Sequence, residues 1–147
     1  MKWHVGDMTA MPEYSNAAYD VVFDKGALDA LMSEDTADVA AKAETMFLEI
    51  SRILSEGGRY VCITLAESYI LKSLLSYFTA LNYTVAVESV QGGKPSPFKP
   101  FYITITKHTH RSGATGDVTL LVDCLGNDAQ GRRVTLATAM EQVRSLE

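Results

Sequence analysis

Apolar positions along this chain fall into two patterns, short continuous runs and longer stripes at three- and four-residue spacing. Residues 19–23 form a continuous run, which is typical of a buried strand in a sheet covered on both faces. The next stripe predicts an amphipathic helix, with these residues on one face: Val39, Ala43, Met46, Phe47, Ile50, Ile53 and Leu54. Asp35 or Asp38 is expected to cap its start, and Gly57-Gly58 to end it.

The same alternation continues to residue 107. Residues 59–65 form a second buried run, and a second stripe predicts a helix with this apolar face: Ile70, Leu71, Leu74, Leu75, Phe78 and Leu81. Residues 83–90 and 101–107 are predicted strands, joined by a loop rich in glycine and proline. Because the first three strands alternate with helices, we expect parallel crossovers, followed by an antiparallel pair. The pattern therefore predicts an α/β fold with a doubly wound, mostly parallel sheet.

The two ends of the chain carry shorter predicted elements. Before the first buried run, the pattern indicates a strand, a turn and a loop over residues 2–5, 6–9 and 10–18. After residue 107 it indicates a polar linker, a strand, a turn and a helix over residues 108–116, 118–125, 127–132 and 137–146.

Composition narrows the class of protein. The 147 residues are 47% hydrophobic and 21% charged, as expected for one ordinary globular domain. A net charge of -5 disfavours general nucleic-acid binding and attachment to an anionic membrane surface. No apolar run is long enough for a membrane span. Cys62 and Cys124 lie far apart in apolar runs, which favours reduced thiols and a cytoplasmic location over a disulfide framework.

Three segments carry a family resemblance. They are WHVGDMT at residues 3–9, DVVFDKGALDA at residues 20–30 and RILSEGGRY at residues 52–60. Together they resemble consecutive segments of class I S-adenosylmethionine-dependent methyltransferases. They are most similar to the eukaryotic methyltransferase-like group that includes the lysine and amino-terminal methyltransferases of elongation factor one-alpha. The resemblance covers roughly residues 3–107, and the combination of the second and third segments makes it specific.

The resemblance implies the carboxyl half of a Rossmann-like methyltransferase domain in residues 1–107, with residues 108–147 as an extension packed on it. The family's glycine-rich loop has no counterpart in this sequence, so we expect a truncated form. In the family's sheet, two strands separate the counterparts of residues 2–5 and 19–23. Their absence would leave an apolar strand edge open, which predicts a homodimer through the edge of that strand.

The resemblance also implies roles for individual residues, with S-adenosylmethionine as cofactor and a protein lysine as a possible substrate. Asp7 would accept a hydrogen bond from the adenine amine, and Met8 would contact the ring. Asp24, at the end of the central strand, would contact the cofactor and orient the acceptor amine. Lys25 would pair with a carboxylate of cofactor or substrate, and Gly26 would let the backbone approach the ligand.

Asp29 and Glu67 are further candidates, for the substrate side of the site. Each candidate has a structural alternative: Asp7 and Asp29 as turn caps, Asp24 as a helix cap beside a solvated Lys25, and Glu67 as a solvated helix start. No histidine, cysteine and carboxylate spacing predicts a metal site. For the chain as a whole, the alternative to a methyltransferase is a non-catalytic, methyltransferase-like module that binds other proteins.

Overall fold

The fold is given by a computed structural model that describes residues 4–65, 67–81, 83–89, 100–108, 119–123 and 132–133. Its helices are α1 (Ala27–Leu31), α2 (Ala37–Ile53) and α3 (Ser68–Ala80). Its strands are β1 (Tyr19–Lys25), β2 (Leu54–Thr64), β3 (Thr84–Ser89), β4 (Phe101–Thr106), β5 (Thr119–Asp123) and β6 (Arg132–Arg133). The order of strands and helices predicted for residues 19–107 is confirmed, with α1 as an addition.

The strands form one mixed sheet in the order β1-β2-β4-β3-β5-β6. β1 is parallel to β2, with Val22 opposite Tyr60 and Asp24 opposite Cys62. β4 lies between β2 and β3 and is antiparallel to both, so β1, β2 and β3 run in the same direction. The α/β class and the antiparallel pairing of the last two strands predicted before residue 107 are therefore confirmed, and β5 and β6 continue the sheet beyond that pair.

The hydrophobic core lies between the three helices and one face of the sheet. The sheet contributes these buried side chains to it: Tyr60, Cys62, Val85, Val87, Phe101, Ile103 and Ile105. From α3 come Ile70, Leu71, Leu74, Leu75 and Phe78. Burying a side chain of this size contributes about 1.5–3 kcal/mol. Packing therefore fixes α3, whose N-cap residue Glu67 makes no side-chain capping bond.

The opposite face of the sheet differs from the prediction. Val21 and Phe23 of β1 are 56% and 59% exposed on that face, and no helix of the described residues covers it. The continuous apolar run predicted a strand buried on both sides, but successive side chains of a strand point to opposite faces. The helical layer therefore covers the alternate positions of β1, including Asp24, and leaves Val21 and Phe23 exposed.

The boundaries of α2 also differ from the predicted ones. Thr36 is the N-cap, and its hydroxyl accepts a hydrogen bond of 3.3 Å from the Val39 amide, in place of either predicted aspartate. The helix ends at Ile53, because Leu54 is already extended and begins β2. Gly57 and Gly58 consequently lie within β2 and do not form the predicted helix stop.

Residues 4–18 run without a helix or a strand, and the predicted turn and loop are confirmed there. The predicted strand over residues 2–5 is not formed in its described part, His4 and Val5. Arg52 fixes the loop by donating to the carbonyl oxygens of Met11 and Tyr14, each at 2.7 Å, and to the side chain of Asn16.

The described parts of residues 108–147 extend the sheet. β5 pairs parallel with β3, which confirms most of the strand predicted at residues 118–125. β6 pairs antiparallel with β5, where the sequence predicted a turn ending at residue 132. Cys124 and the helix predicted at residues 137–146 lie outside the described residues. The division at residue 107 remains a prediction. None of the described helices has the length and apolarity that a membrane crossing requires.

Candidate functional site

An open depression lies where β1 ends and α1 begins. It has a volume of about 670 Å³ and is lined by Val5, Gly6, Asp7, Met8, Ala27, Ala30 and Leu31. The carboxyl ends of parallel strands are where ligands of open α/β sheets bind. The structure thus brings the predicted cofactor residues Asp7 and Met8 beside the helix that follows Asp24, Lys25 and Gly26.

Asp7 forms the rim of the depression and is held by the turn that follows it. Its Oδ1 atom accepts hydrogen bonds from the Thr9 amide at 2.8 Å and the Thr9 hydroxyl at 2.7 Å. The Thr9 hydroxyl, and then its amide, lower the pKa of this exposed carboxyl. The turn-capping alternative is therefore observed. No described residue donates to Oδ2, which keeps an acceptor available for a ligand. Met8 is half-buried against the core and supplies an apolar wall.

Asp24 is buried, with 6% of its surface exposed, and its carboxylate points to the helical side of the sheet. Oδ1 accepts from the Ala27 amide at 2.7 Å, and Oδ2 accepts from the Leu28 amide at 3.1 Å. A carboxylate at a helix N-terminus satisfies amides that have no partner within the helix. The capping alternative is therefore observed for Asp24, and direct orientation of an acceptor amine stays a prediction.

Two residues that the sequence did not single out complete this cluster. The Tyr60 hydroxyl donates to Asp24 Oδ2 at 2.9 Å, and the Cys62 Sγ lies 3.7 Å from the same oxygen. Burial first, and the Asp24 charge second, raise the pKa of the Cys62 thiol to about 12. Burial, together with Cys62 and Asp24, raises the pKa of the Tyr60 hydroxyl well above its ordinary value. Both groups therefore remain protonated donors at neutral pH. Tyr60 and Cys62 lie two residues apart on one strand, so their side chains share a face of the sheet. This spacing is the sequence feature that could have indicated the cluster.

Lys25 is the last residue of β1, and Gly26 forms the turn between β1 and α1. The Lys25 side chain is exposed, as its solvated alternative states. Gly26 has a φ of 76°, in the left-handed region that glycine adopts without strain. Its amide donates to the Ile63 carbonyl at 3.1 Å. A side chain at this position would meet no atom within 4 Å, so the backbone conformation is sufficient to explain this glycine.

Asp29 and Glu67 occupy different places at the same end of the sheet. Oδ1 of Asp29 accepts from the Thr64 hydroxyl at 2.7 Å and from the Leu65 amide at 3.1 Å, so Asp29 joins α1 to the end of β2. Glu67 is exposed and is the N-cap residue of α3. Neither lines the depression, and their substrate roles stay predictions. Within the described ranges, no three histidine, cysteine or carboxylate side chains are grouped to hold a metal ion.

Comparison with known proteins identifies relatives by sequence. The human eEF1A lysine and N-terminal methyltransferase is 39% identical over 84 residues, which cover 57% of this chain and 12% of that protein. Its Xenopus laevis counterpart is 31% identical over 119 residues, covering 77% of this chain and 17% of that protein. The Drosophila melanogaster homologue is 40% identical over 82 residues. The chain thus spans about an eighth of the length of the human relative. The family resemblance stated from the sequence is confirmed.

Other comparisons add less. A Thermus thermophilus protein, provisionally titled a DNA modification methylase, aligns with a TM-score of 0.49 and 15% identity over 76% of this chain and 56% of its own. This level of similarity carries no inference about function. No family model matches the chain.

Proposed function

We propose, from the premise that this chain is a relative of the eEF1A lysine and N-terminal methyltransferases, that it forms part of an S-adenosylmethionine-dependent protein methyltransferase. The observation that carries the proposal is the open depression shared by the Asp7–Met8 turn and α1. The names of the relatives favour this function over a non-catalytic interaction module.

The depression suits the adenine end of the cofactor. Its lining is mostly apolar, as a flat aromatic ring requires, and the Asp7 carboxylate is an acceptor at its rim. The Thr9 hydrogen bonds orient that carboxylate and keep it ionised at neutral pH. Met8 would contact the ring.

Asp24 and Lys25 are proposed to act at the methyl-transfer end. When bound, the cofactor would supply a methyl group from its positively charged sulfur to a neutral acceptor nitrogen, whose ammonium form must first release a proton to the solvent. Holding the two reactants in line supplies much of the rate. Because Asp24 caps α1, its contribution is to fix the turn at Lys25 and Gly26. Lys25 would pair with a carboxylate of cofactor or substrate.

The acceptor is proposed to be an amine of a protein, because the relatives are named for lysine and N-terminal methylation of eEF1A. Asp29 and Glu67 are the proposed contacts to it. A carboxylate at either position would attract a positively charged substrate segment. A cytoplasmic location is part of the same proposal, and the buried free thiol of Cys62 is compatible with it.

The test is calorimetric titration of the chain with S-adenosylhomocysteine, the product form of the cofactor. Ala30 is exposed and lines the depression, so Ala30→Trp fills it without disturbing the core. We expect the unsubstituted chain to bind, and Ala30→Trp to weaken binding about tenfold or more, a loss of about 1.4 kcal/mol.

Ala41→Trp is the matched control, because Ala41 is exposed on α2, outside the lining of the depression. It should leave the dissociation constant unchanged. An unsubstituted chain that does not bind, or equal losses in both variants, would overturn the assignment of the depression to the cofactor.

A further inference from the structure

The depression at the end of β1 has two walls of different kinds. One wall is α1, a helix that the buried carboxylate of Asp24 caps. The other wall is formed by residues 5–8, which belong to the segment 4–18 and lie in no helix or strand. The backbone hydrogen bonds within this segment join residues three apart, in turns. Turns alone do not fix its distance from α1, so the second wall depends on contacts from elsewhere in the fold.

The guanidinium of Arg52, in the last turn of α2, anchors this segment. It makes five hydrogen bonds, as many as it has N–H groups. Two bonds of 2.8 Å go to the Glu49 carboxylate. The other three reach the segment, at the carbonyl oxygens of Met11 and Tyr14 and at Oδ1 of Asn16. A planar guanidinium holds such a set of acceptors in a fixed geometry, whereas a lysine ammonium offers three donors from a single point.

Other groups at the end of α2 bind the same segment. The Glu49 carboxylate accepts from the Met11 amide at 2.7 Å. The main-chain carbonyl oxygens of Arg52 and of the residue after it accept from the amides of residues 17–18, each at 2.8 Å. The last carbonyls of a helix have no partner within it, so the segment supplies donors that the helix end requires. The anchor begins three positions after Met8, and both methionines pack against the core.

We propose that Arg52 is a positioning residue for the cofactor. It holds the Asp7–Met8 turn at the distance from α1 at which the adenine ring fits between them and its amine meets Oδ2 of Asp7. Arg52 lies outside the lining of the depression, so it acts through the segment and does not touch the ligand. A wall that is fixed in the folded chain removes an ordering cost from binding. This inference rests on the proposed function of the depression.

Two ligands separate positioning from a general effect on the fold. S-adenosylhomocysteine carries the adenine amine from which Asp7 would accept. S-inosylhomocysteine has a carbonyl oxygen in place of that amine, so it would present an acceptor to the Asp7 carboxylate. The unsubstituted chain should therefore bind S-adenosylhomocysteine about tenfold or more tightly than S-inosylhomocysteine.

Arg52→Lys keeps the positive charge and loses the planar set of donors. In calorimetric titration it should weaken binding of S-adenosylhomocysteine about tenfold or more and binding of S-inosylhomocysteine less, so that the preference shrinks. Arg59→Lys is the matched control, because Arg59 is exposed on β2 and lies outside the lining of the depression. It should leave both dissociation constants unchanged.

Asn16→Ala is a milder variant of the same anchor. Asn16 is exposed and supplies one of the five acceptors of Arg52, so its replacement leaves α2 and the core intact. The preference for S-adenosylhomocysteine should shrink in this variant too, by less than in Arg52→Lys. If circular dichroism shows that Arg52→Lys does not fold, Asn16→Ala decides, and an unchanged preference in it would overturn the positioning role.

Hydrogen–deuterium exchange followed by mass spectrometry tests the anchor without a ligand. The amides of residues 11–18 should exchange faster in Arg52→Lys than in Arg59→Lys, because their hydrogen bonds to the end of α2 open more often. Equal exchange of this segment in the two variants would overturn the anchor.

The titrations distinguish failure of this inference from failure of the proposed function. If the unsubstituted chain binds but Arg52→Lys weakens both ligands equally, or neither, the positioning role is overturned and the proposed function stands. Equal binding of the two ligands by the unsubstituted chain would overturn the contact between Asp7 and the amine, and the positioning role with it. If the unsubstituted chain binds neither ligand, the proposed function and this inference are both overturned.

Discussion

The Tyr60 hydroxyl donates a 2.9 Å hydrogen bond to Oδ2 of Asp24, a residue 36 positions earlier in the chain. The bond links β2 to the carboxylate that caps α1. Because both residues are buried, neither can replace this bond with one to water. The position of the turn at Lys25 and Gly26 therefore depends on a contact from a different strand.

Tyr60→Phe removes this donor and keeps the aromatic ring. A buried charged acceptor that loses one hydrogen bond costs about 1.5–3 kcal/mol of folding free energy. We expect a loss of that size in urea denaturation followed by circular dichroism. Tyr102→Phe is the control, because it removes a hydroxyl from a half-buried tyrosine on β4 that does not bond to Asp24. Similar losses of folding free energy in the two variants would show that the hydrogen bond to Asp24 does not contribute more to stability than any other tyrosine hydroxyl.

Thr36 caps α2, and its replacement should show this directly. Thr36→Ala removes the hydroxyl that accepts from the Val39 amide and should cost about 1 kcal/mol of stability. Asp35→Ala, at the neighbouring exposed position, should cost less, although the sequence predicted a capping role for Asp35. Urea midpoints of the two variants give the comparison. A larger loss for Asp35→Ala would contradict the observed cap.

The adjacent glycines of β2 should respond differently to alanine. Gly57 has a φ of 77° and open space where a Cβ would lie, so Gly57→Ala should cost about 1–2 kcal/mol from backbone strain alone. At Gly58 a Cβ would come within 2.8 Å of the Ser55 carbonyl oxygen and 3.2 Å of the Tyr19 carbonyl oxygen. Both are backbone atoms: the Ser55 carbonyl belongs to β2 itself, so β2 would have to change its own backbone, and the Tyr19 carbonyl of β1 would have to move away. Thermal unfolding should show the larger loss for Gly58→Ala; the reverse order would refute this account.

Periodicity predicts the helices well and the exposed faces of strands poorly. The apolar stripes of α2 and α3 match their buried residues closely, because a helix with one apolar stripe has one way to bury it. The stripe on α3 extends one position too far, since Leu81 lies after the helix and is 45% exposed.

The run at residues 21–23 is apolar at every position, so it shows no alternation between a buried and an exposed face. Sequence alone could not indicate which of them a helical layer would cover. That depends on which face of β2 receives α2 and α3.

The sequence predicted the end of the strand that carries the candidate site, but not the contacts that its side chains make. Sequence placed Asp24 at the end of a strand, where ligands bind. It could not show that strand alternation turns the carboxylate toward Tyr60 and Cys62, because that requires the register between β1 and β2. The approach of Asp7 to α1 is likewise a tertiary contact, and the family resemblance was the only sequence signal for it.

Glu49 should make the folding free energy depend on acidity in a defined window. The Arg52 guanidinium donates two hydrogen bonds to its carboxylate, each at 2.8 Å, and the Met11 amide donates another at 2.7 Å. These contacts, with Arg52 the largest cause, lower the pKa of Glu49 from 4.5 to about 2. A lowered carboxyl pKa stabilises the fold above the unfolded value, and this contribution disappears as the pH falls toward the folded value.

Glu49→Gln should therefore be less stable than the unsubstituted chain at pH 7, with the difference shrinking as the pH falls from 4.5 to about 2. Urea denaturation at a series of pH values measures this difference. Glu44→Gln, which removes a carboxylate from an exposed position on the same helix, is the matched control. A difference between Glu49→Gln and the unsubstituted chain that stays constant through that window would mean that the carboxylate charge does not hold the loop to α2.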